Sequence, residues 1–227
     1  MKRRNFVAAA LPTAGLWGWS REAQAIGLSE TDAASGVRLA LERGVDFAVA
    51  LLGQTNGFLD NPKVRIPLPG YLNQAAQMLK AIGQQKRVEE LVLAMNRAAE
   101  AAVPEGKLIL TNAVKAMSVE DARRIVTGGD TSVTDFFAAK TRQPLGVKFL
   151  PIVTRATEKV SLAEKYNAVA GKAAAMGLLK PQDAHIEQYV TGKTLDGLYL
   201  MIGEEERKIR KDPIGSGSAL LAKVFGR

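Results

Sequence analysis

Asn96, Arg97 and Glu100 fall close together in the run LVLAMNRAAEAAV, whose other positions are apolar or small. Read as a helix, the run puts Asn96 on one face with Val92, Ala99 and Val103, with Glu100 one turn further on. Asn167 lines up in the same way with Ala163, Ala170 and Ala174, beside Tyr166, and Glu206 lies between Ile202 and Ile209. A buried amide left without a partner costs about 1–3 kcal/mol, and a buried charge costs more. Groups placed like this either converge to orient a ligand inside a bundle or satisfy each other as a polar network that fixes helix register. Together with Arg65, they form the candidate ligand-binding set: Arg65, Asn96, Arg97, Glu100, Tyr166, Asn167 and Glu206. No catalytic residue is assigned.

Other chemistries are poorly served by the composition. The chain has no cysteine, so it has no thiol nucleophile and no thiolate metal site. His185 is the only histidine, so a histidine-rich metal cluster cannot form and a di-iron bundle lacks its Glu-x-x-His pairs. No metal and no cofactor is expected. Gly128-Gly129-Asp130-Thr131-Ser132 precedes a helix, as a phosphate-cradling loop does. It lacks the P-loop lysine, however, and no strand comes before it. A glycine stop followed by an Asp130 or Thr131 cap accounts for the same residues.

The elements that must carry these side chains are helical. From Ser29 to Gly53, Ala33, Val37, Leu41, Val45, Ala48 and Leu52 recur at three- and four-residue spacing. Similar runs fall at 71–82, 86–103, 107–116, 118–127, 132–142, 145–160, 161–177, 182–191 and 193–211. The reading is all-α: a multi-helix, bundle-like domain of about ten helices. One stretch breaks the pattern. QTNGFLDNPKVRIPLPG, residues 54–70, holds three prolines and is long for a structureless connection. It reads either as a functional loop or as a polyproline-like strap laid across the bundle. In EEERKIRK, acids precede bases so that Glu204–Lys208 and Glu206–Arg210 can pair one turn apart. Beyond it, Leu220, Leu221, Val224 and Phe225 form an apolar stripe in the tail 215–227, suited to docking on the domain or on a partner.

The chain starts differently. Arg3-Arg4, the run from Phe6 to Trp19 and Ala23-Gln24-Ala25 follow the order of an export signal: basic, apolar, then a small-residue cleavage site. The paired arginines resemble a twin-arginine signal. The expected organisation is a signal over residues 1–25, cleaved after Ala25, and one helical domain over 26–227. Removing Lys2, Arg3, Arg4, Arg21 and Glu22 leaves 27 basic and 22 acidic residues, net +5, and takes away both tryptophans. That charge gives little reason to expect nucleic acid as a partner, and at most a peripheral contact with an acidic membrane surface.

GFLDNPKVRIPLP, LAMNRAAEAAVPEGK, SVEDARRIVTGGD, YVTGKTLDGLYLMIGEEERKIRKDP and GSGSALLAKVFG resemble the bacterial family called domain of unknown function 4197, from Gly27 to Gly226. The resemblance implies an exported, mostly helical protein and carries no activity, substrate or catalytic residue. The expected function is a non-enzymatic periplasmic protein that binds a lipid or other apolar or amphipathic small molecule between its helices. The alternatives are a structural module that contacts another envelope protein and, third, an enzyme using carboxylates such as Glu100 and Glu206.

Overall fold

The structure, a computed structural model, describes residues 30–72, 76–77, 80–129, 131–159, 161–175, 177 and 184–225. The export segment 1–25 and part of the helix expected over 71–82 lie outside the described residues. Among those described, every regular element is helical: α1 (Glu30–Leu52), α2 (Gln85–Ala102), α3 (Lys107–Lys115), α4 (Val119–Thr127), α5 (Ser132–Thr157), α6 (Ser161–Ala175), α7 (Ile186–Lys211) and α8 (Ala219–Phe225). None is long and apolar enough to cross a membrane.

The helices are fewer and longer than the spacing predicts. The runs 132–142 and 145–160 are one helix, α5, which passes through Pro144 and Pro151. A proline inside a helix removes one backbone donor and crowds the preceding turn. Here the buried row Phe137, Thr141, Leu145, Phe149 and Val153 holds the axis on course across both prolines. Likewise 182–191 and 193–211 merge into α7. Gly192 costs about 1 kcal/mol there relative to alanine, but the buried Val190, Thr191, Thr194 and Leu195 around it keep that turn in the core.

α7 is the central helix and packs on both α1 and α5, while α2 lies on α5, and α3 and α4 on α1. At the α5–α7 contact, Phe137 stacks on the buried Tyr199 with ring centroids 6.3 Å apart. The Thr141 hydroxyl donates to the Phe137 carbonyl at 2.7 Å, so the Tyr199 hydroxyl is the donor in its 3.0 Å bond to Thr141. Burial pushes the Tyr199 phenol above its ordinary value. α4 begins with a capping box: Ser118 Oγ accepts from the Asp121 N–H, and Asp121 Oδ2 accepts from the Ser118 N–H. The tail forms α8, which docks on α1 through the buried Leu221 and a Lys223–Asp32 ion pair at 3.0 Å. Of the two pairs expected in EEERKIRK, Glu206–Arg210 forms. Glu204 instead reaches Lys63, and Lys208 pairs with Glu205, because the strap brings Lys63 within 2.8 Å of Glu204.

Residues 54–70 lie across the molecule as a strap. Phe58, Val64 and Ile66 enter the core, and Lys63 and Pro67 are tied to α7 through Glu204 and the Tyr189 hydroxyl. Two glycines make room for it. A Cβ at Gly197 would come within 3.0 Å of the Phe58 ring and 3.1 Å of Val64. At Gly57, a Cβ would lie 2.4 Å from the Leu51 carbonyl oxygen, and backbone cannot yield as a side chain can. Gly57→Ala is therefore expected to lower stability by about 1–3 kcal/mol. For a domain of this size that is a fall of several degrees in the thermal midpoint, read by circular dichroism. An unchanged midpoint would show that the turn into the strap is not tightly packed.

Candidate functional site

The segment before the strap's buried stretch turns sharply, and Asn56 takes a positive φ of 68°. Its Oδ1 accepts from Arg97 Nη2 at 2.5 Å, while Arg97 Nη1 donates to Glu100 Oε2 at 2.6 Å. The other Glu100 oxygen accepts from the backbone N–H groups of Phe58 (3.1 Å) and Leu59 (3.2 Å). One turn back along α2, Asn96 holds the far limb of the strap. Its Oδ1 accepts from the Ile66 N–H at 2.9 Å, and its Nδ2 donates to the Ile66 carbonyl at 3.0 Å and to the Val92 carbonyl at 2.7 Å. Asn96 thus reads one residue of irregular backbone as a neighbouring strand would, matching both its donor and its acceptor.

The remaining candidates sit elsewhere. Asn167, on α6, accepts from the Ile186 N–H at 2.9 Å and donates to Glu187, so it caps the first turn of α7 from outside. Tyr166 beside it is buried in the main core. Glu206 is buried and hydrogen-bonded to Arg210 of its own helix. Arg210 also donates to the carbonyls of Ile125 (2.7 Å) and Val126 (3.4 Å) at the C-terminal end of α4, where a cation suits the dipole. Loss of solvation pushes the Glu206 carboxyl above its usual range, and the Arg210 bond opposes this. Hydrogen bonds place Asn96, Arg97 and Glu100 in one cluster, Asn167 in a second and Glu206 in a third.

The glycine-rich stretch ends α4 at Gly128, with Asp130 outside the described residues. Thr131 stands at the start of α5 without a side-chain capping bond, and the Ser132 hydroxyl donates to the Ile125 carbonyl instead. Gly128 and Gly129 line a pocket of about 280 Å³ together with Glu206, Arg207, Arg210 and Lys211. Two of its charged groups, Glu206 and Arg210, are already bonded to each other.

Arg65 is different. It is exposed, and it projects from the strap between the buried Val64 and Ile66. It lines an open groove of about 550 Å³ between the strap and the first half of α2. Leu59, Val88, Val92 and Leu93 give the groove an apolar lining. Lys80, Lys86, Glu89 and Glu90 supply charge of both signs. Sequence reasoning singled out Arg65 but missed these neighbours. On α2, Lys86, Glu89 and Glu90 look like the solvated side of an amphipathic helix. The strap and Lys80 turn that side into one wall of a concave surface.

A family model described as a protein of unknown function (DUF4197) matches residues 27–226. No curated protein and no solved structure matches the chain.

Asn96→Leu keeps the side-chain volume but leaves the buried Ile66 N–H and C=O without partners. The expected loss is about 2–5 kcal/mol by denaturant unfolding. Faster hydrogen exchange at the Ile66 amide should accompany it, and a loss below about 0.5 kcal/mol would mean Asn96 does not hold the strap. Glu206 sets a pH dependence. Its folded pKa lies above the ordinary 4.5, so its contribution is full below 4.5 and is lost as pH rises through the raised value. The stability of the wild type relative to Glu206→Gln should therefore fall with rising pH across that window. A difference that stays flat or rises would contradict the burial of this carboxyl.

Proposed function

The chain belongs to the DUF4197 family of proteins of unknown function, and we propose that it is a non-enzymatic exported protein that holds an amphipathic ligand in the groove between its strap and α2. The observation that carries this reading is the groove itself: an apolar lining edged by charged side chains that the fold leaves unengaged. Arg65, Lys80, Lys86 and Glu90 have no side-chain hydrogen bond or ion pair among the described residues. By contrast, Asn96, Glu100, Asn167 and Glu206 are occupied with backbone or with an arginine. Their polar groups serve the fold, which moves the proposed ligand from between the helices to the surface groove.

The volume is within the range of small-molecule sites, about 300–1,000 Å³. A lipid or similar amphiphile suits it because each end finds a match, chain against Val88, Val92 and Leu93 and head against the charged rim. The same fit gives at most a peripheral approach to a membrane. An envelope protein partner is the alternative reading: the strap exposes Lys63 and Arg65, while Leu221 of the tail is buried on the protein's own α1 side. Export is part of the proposal and is supported by the basic pair, apolar run and A-x-A site of residues 1–25.

Native mass spectrometry of protein recovered from its own cell envelope without detergent tests both parts. The expected result is a chain starting at Ile26 that carries a bound amphiphile. Leu93→Asp, at a half-exposed position, should remove the ligand without shifting the thermal midpoint. Consistently ligand-free protein, or a ligand retained by Leu93→Asp, would overturn the groove assignment, and an intact Met1 would overturn export.

A further inference from the structure

We infer that the groove selects a zwitterionic phospholipid, with its phosphate at the Arg65 side and a primary ammonium at Glu90; this deepens the amphiphile-binding reading and rests on it. Lys86 and Glu90 are one turn apart on α2, as are Glu89 and Leu93, so both signs of charge and an exposed apolar side chain share one strip of the helix. Lys86 precedes Glu90, the less favourable order for a pair of this spacing, and the two form no ion pair. Glu89 already accepts a hydrogen bond from Gln85 at 2.5 Å. Among the described residues, Glu90 is therefore the groove carboxylate without a partner, against three unpartnered cations in Arg65, Lys80 and Lys86.

The charge pattern discriminates between amphiphiles. A fatty acid would satisfy a cation through its carboxylate but bring no donor for Glu90. A phosphodiester lipid with an uncharged head would do the same. A cationic amphiphile would meet Glu90 but face Arg65, Lys80 and Lys86. A head with phosphate and primary ammonium supplies both partners at once. The guanidinium of Arg65 can bind phosphate oxygens with two parallel N–H donors, which a lysine cannot do. The ammonium brings three donors to a carboxylate acceptor. Arg65 is held at its place on the strap because Asn96 bonds both backbone groups of the next residue, Ile66.

Isothermal titration of the purified protein tests the assignment with monomeric dihexanoyl phosphatidylethanolamine, dihexanoyl phosphatidylglycerol, octanoate and phosphoethanolamine without chains. The ethanolamine lipid is expected to bind about tenfold more tightly than the glycerol lipid, the scale of one charge-assisted contact. Glu90→Gln should bring that ratio close to one, and Arg65→Gln should weaken both lipids about tenfold. Phosphoethanolamine alone should bind far more weakly than the lipid, because it lacks the apolar part; equal binding would assign the site to the free head group instead. Both substitutions are at exposed positions, and unchanged thermal midpoints confirm intact folding. Equal affinity for the two lipids in the wild type, or a preference that survives Glu90→Gln, would overturn the zwitterion assignment while leaving the amphiphile reading in place. If no lipid or octanoate binds at millimolar concentration, the amphiphile reading fails and the inference falls with it.

Discussion

Irregular backbone cannot be buried unless its N–H and C=O groups find partners, and residues 54–69 bury Phe58, Val64 and Ile66 without belonging to any helix. The rest of the arrangement follows from that constraint. α2 must offer side chains that mimic a neighbouring backbone, which is why an asparagine and a glutamate sit on a face otherwise made of Val88, Leu91, Met95 and Ala99. α7 must be thin where the strap crosses, which makes Gly197 necessary. Placing hydrogen-bonding groups on the helix instead of in the loop also has an entropic advantage. A side chain on a rigid helix is already positioned, so the ordering cost falls mainly on the strap.

The same device recurs at other irregular points. Glu100 and Glu206 are each buried, and each is paired with an arginine on its own helix, three residues before in one case and four after in the other. In both cases the arginine's remaining donors reach a different segment, Asn56 in the strap or the carbonyls ending α4. Asn167 does for the start of α7 what Asn96 does for Ile66. A buried ion pair adds little net stability over well-packed apolar side chains, because desolvation opposes the Coulomb gain. What these pairs add is a unique position for a loop or a helix end that hydrophobic packing alone would leave free to slide.

The all-helical class was legible because apolar residues recur at helical spacing over most of the chain, and α1 and α4 start and stop close to where Ser29, Gly53 and Ser118 suggest. The boundaries failed where local signals opposed tertiary packing. Pro144 and Gly192 read as breaks, but each sits in a turn whose buried neighbours outweigh its local preference. The polar residues on apolar faces were visible as anomalies. Their purpose was not, since hydrogen bonds between Asn96 and Ile66 or Arg97 and Asn56 join positions 30 and 41 residues apart. The groove was hidden for a similar reason. Its lining comes from separate segments, Leu59 and Arg65 of the strap, Lys80, and the first half of α2.

That difference in origin separates structural from functional polarity in this protein. A polar group that the fold needs is buried and saturated, and removing it should register as lost stability. A polar group that a ligand needs must be reachable and unsaturated, and it leaves little trace in the packing. Asn96, Glu100 and Glu206 meet the first description, whereas Arg65, Lys86 and Glu90 are exposed and have no side-chain bond among the described residues. The two sets are nonetheless coupled through the strap. Ile66 is fixed by Asn96 and buried, and Arg65 just before it is exposed at the groove. The buried amide therefore sets where the exposed guanidinium stands, and under the proposed amphiphile-binding reading a loosened strap would lose ligand affinity along with stability.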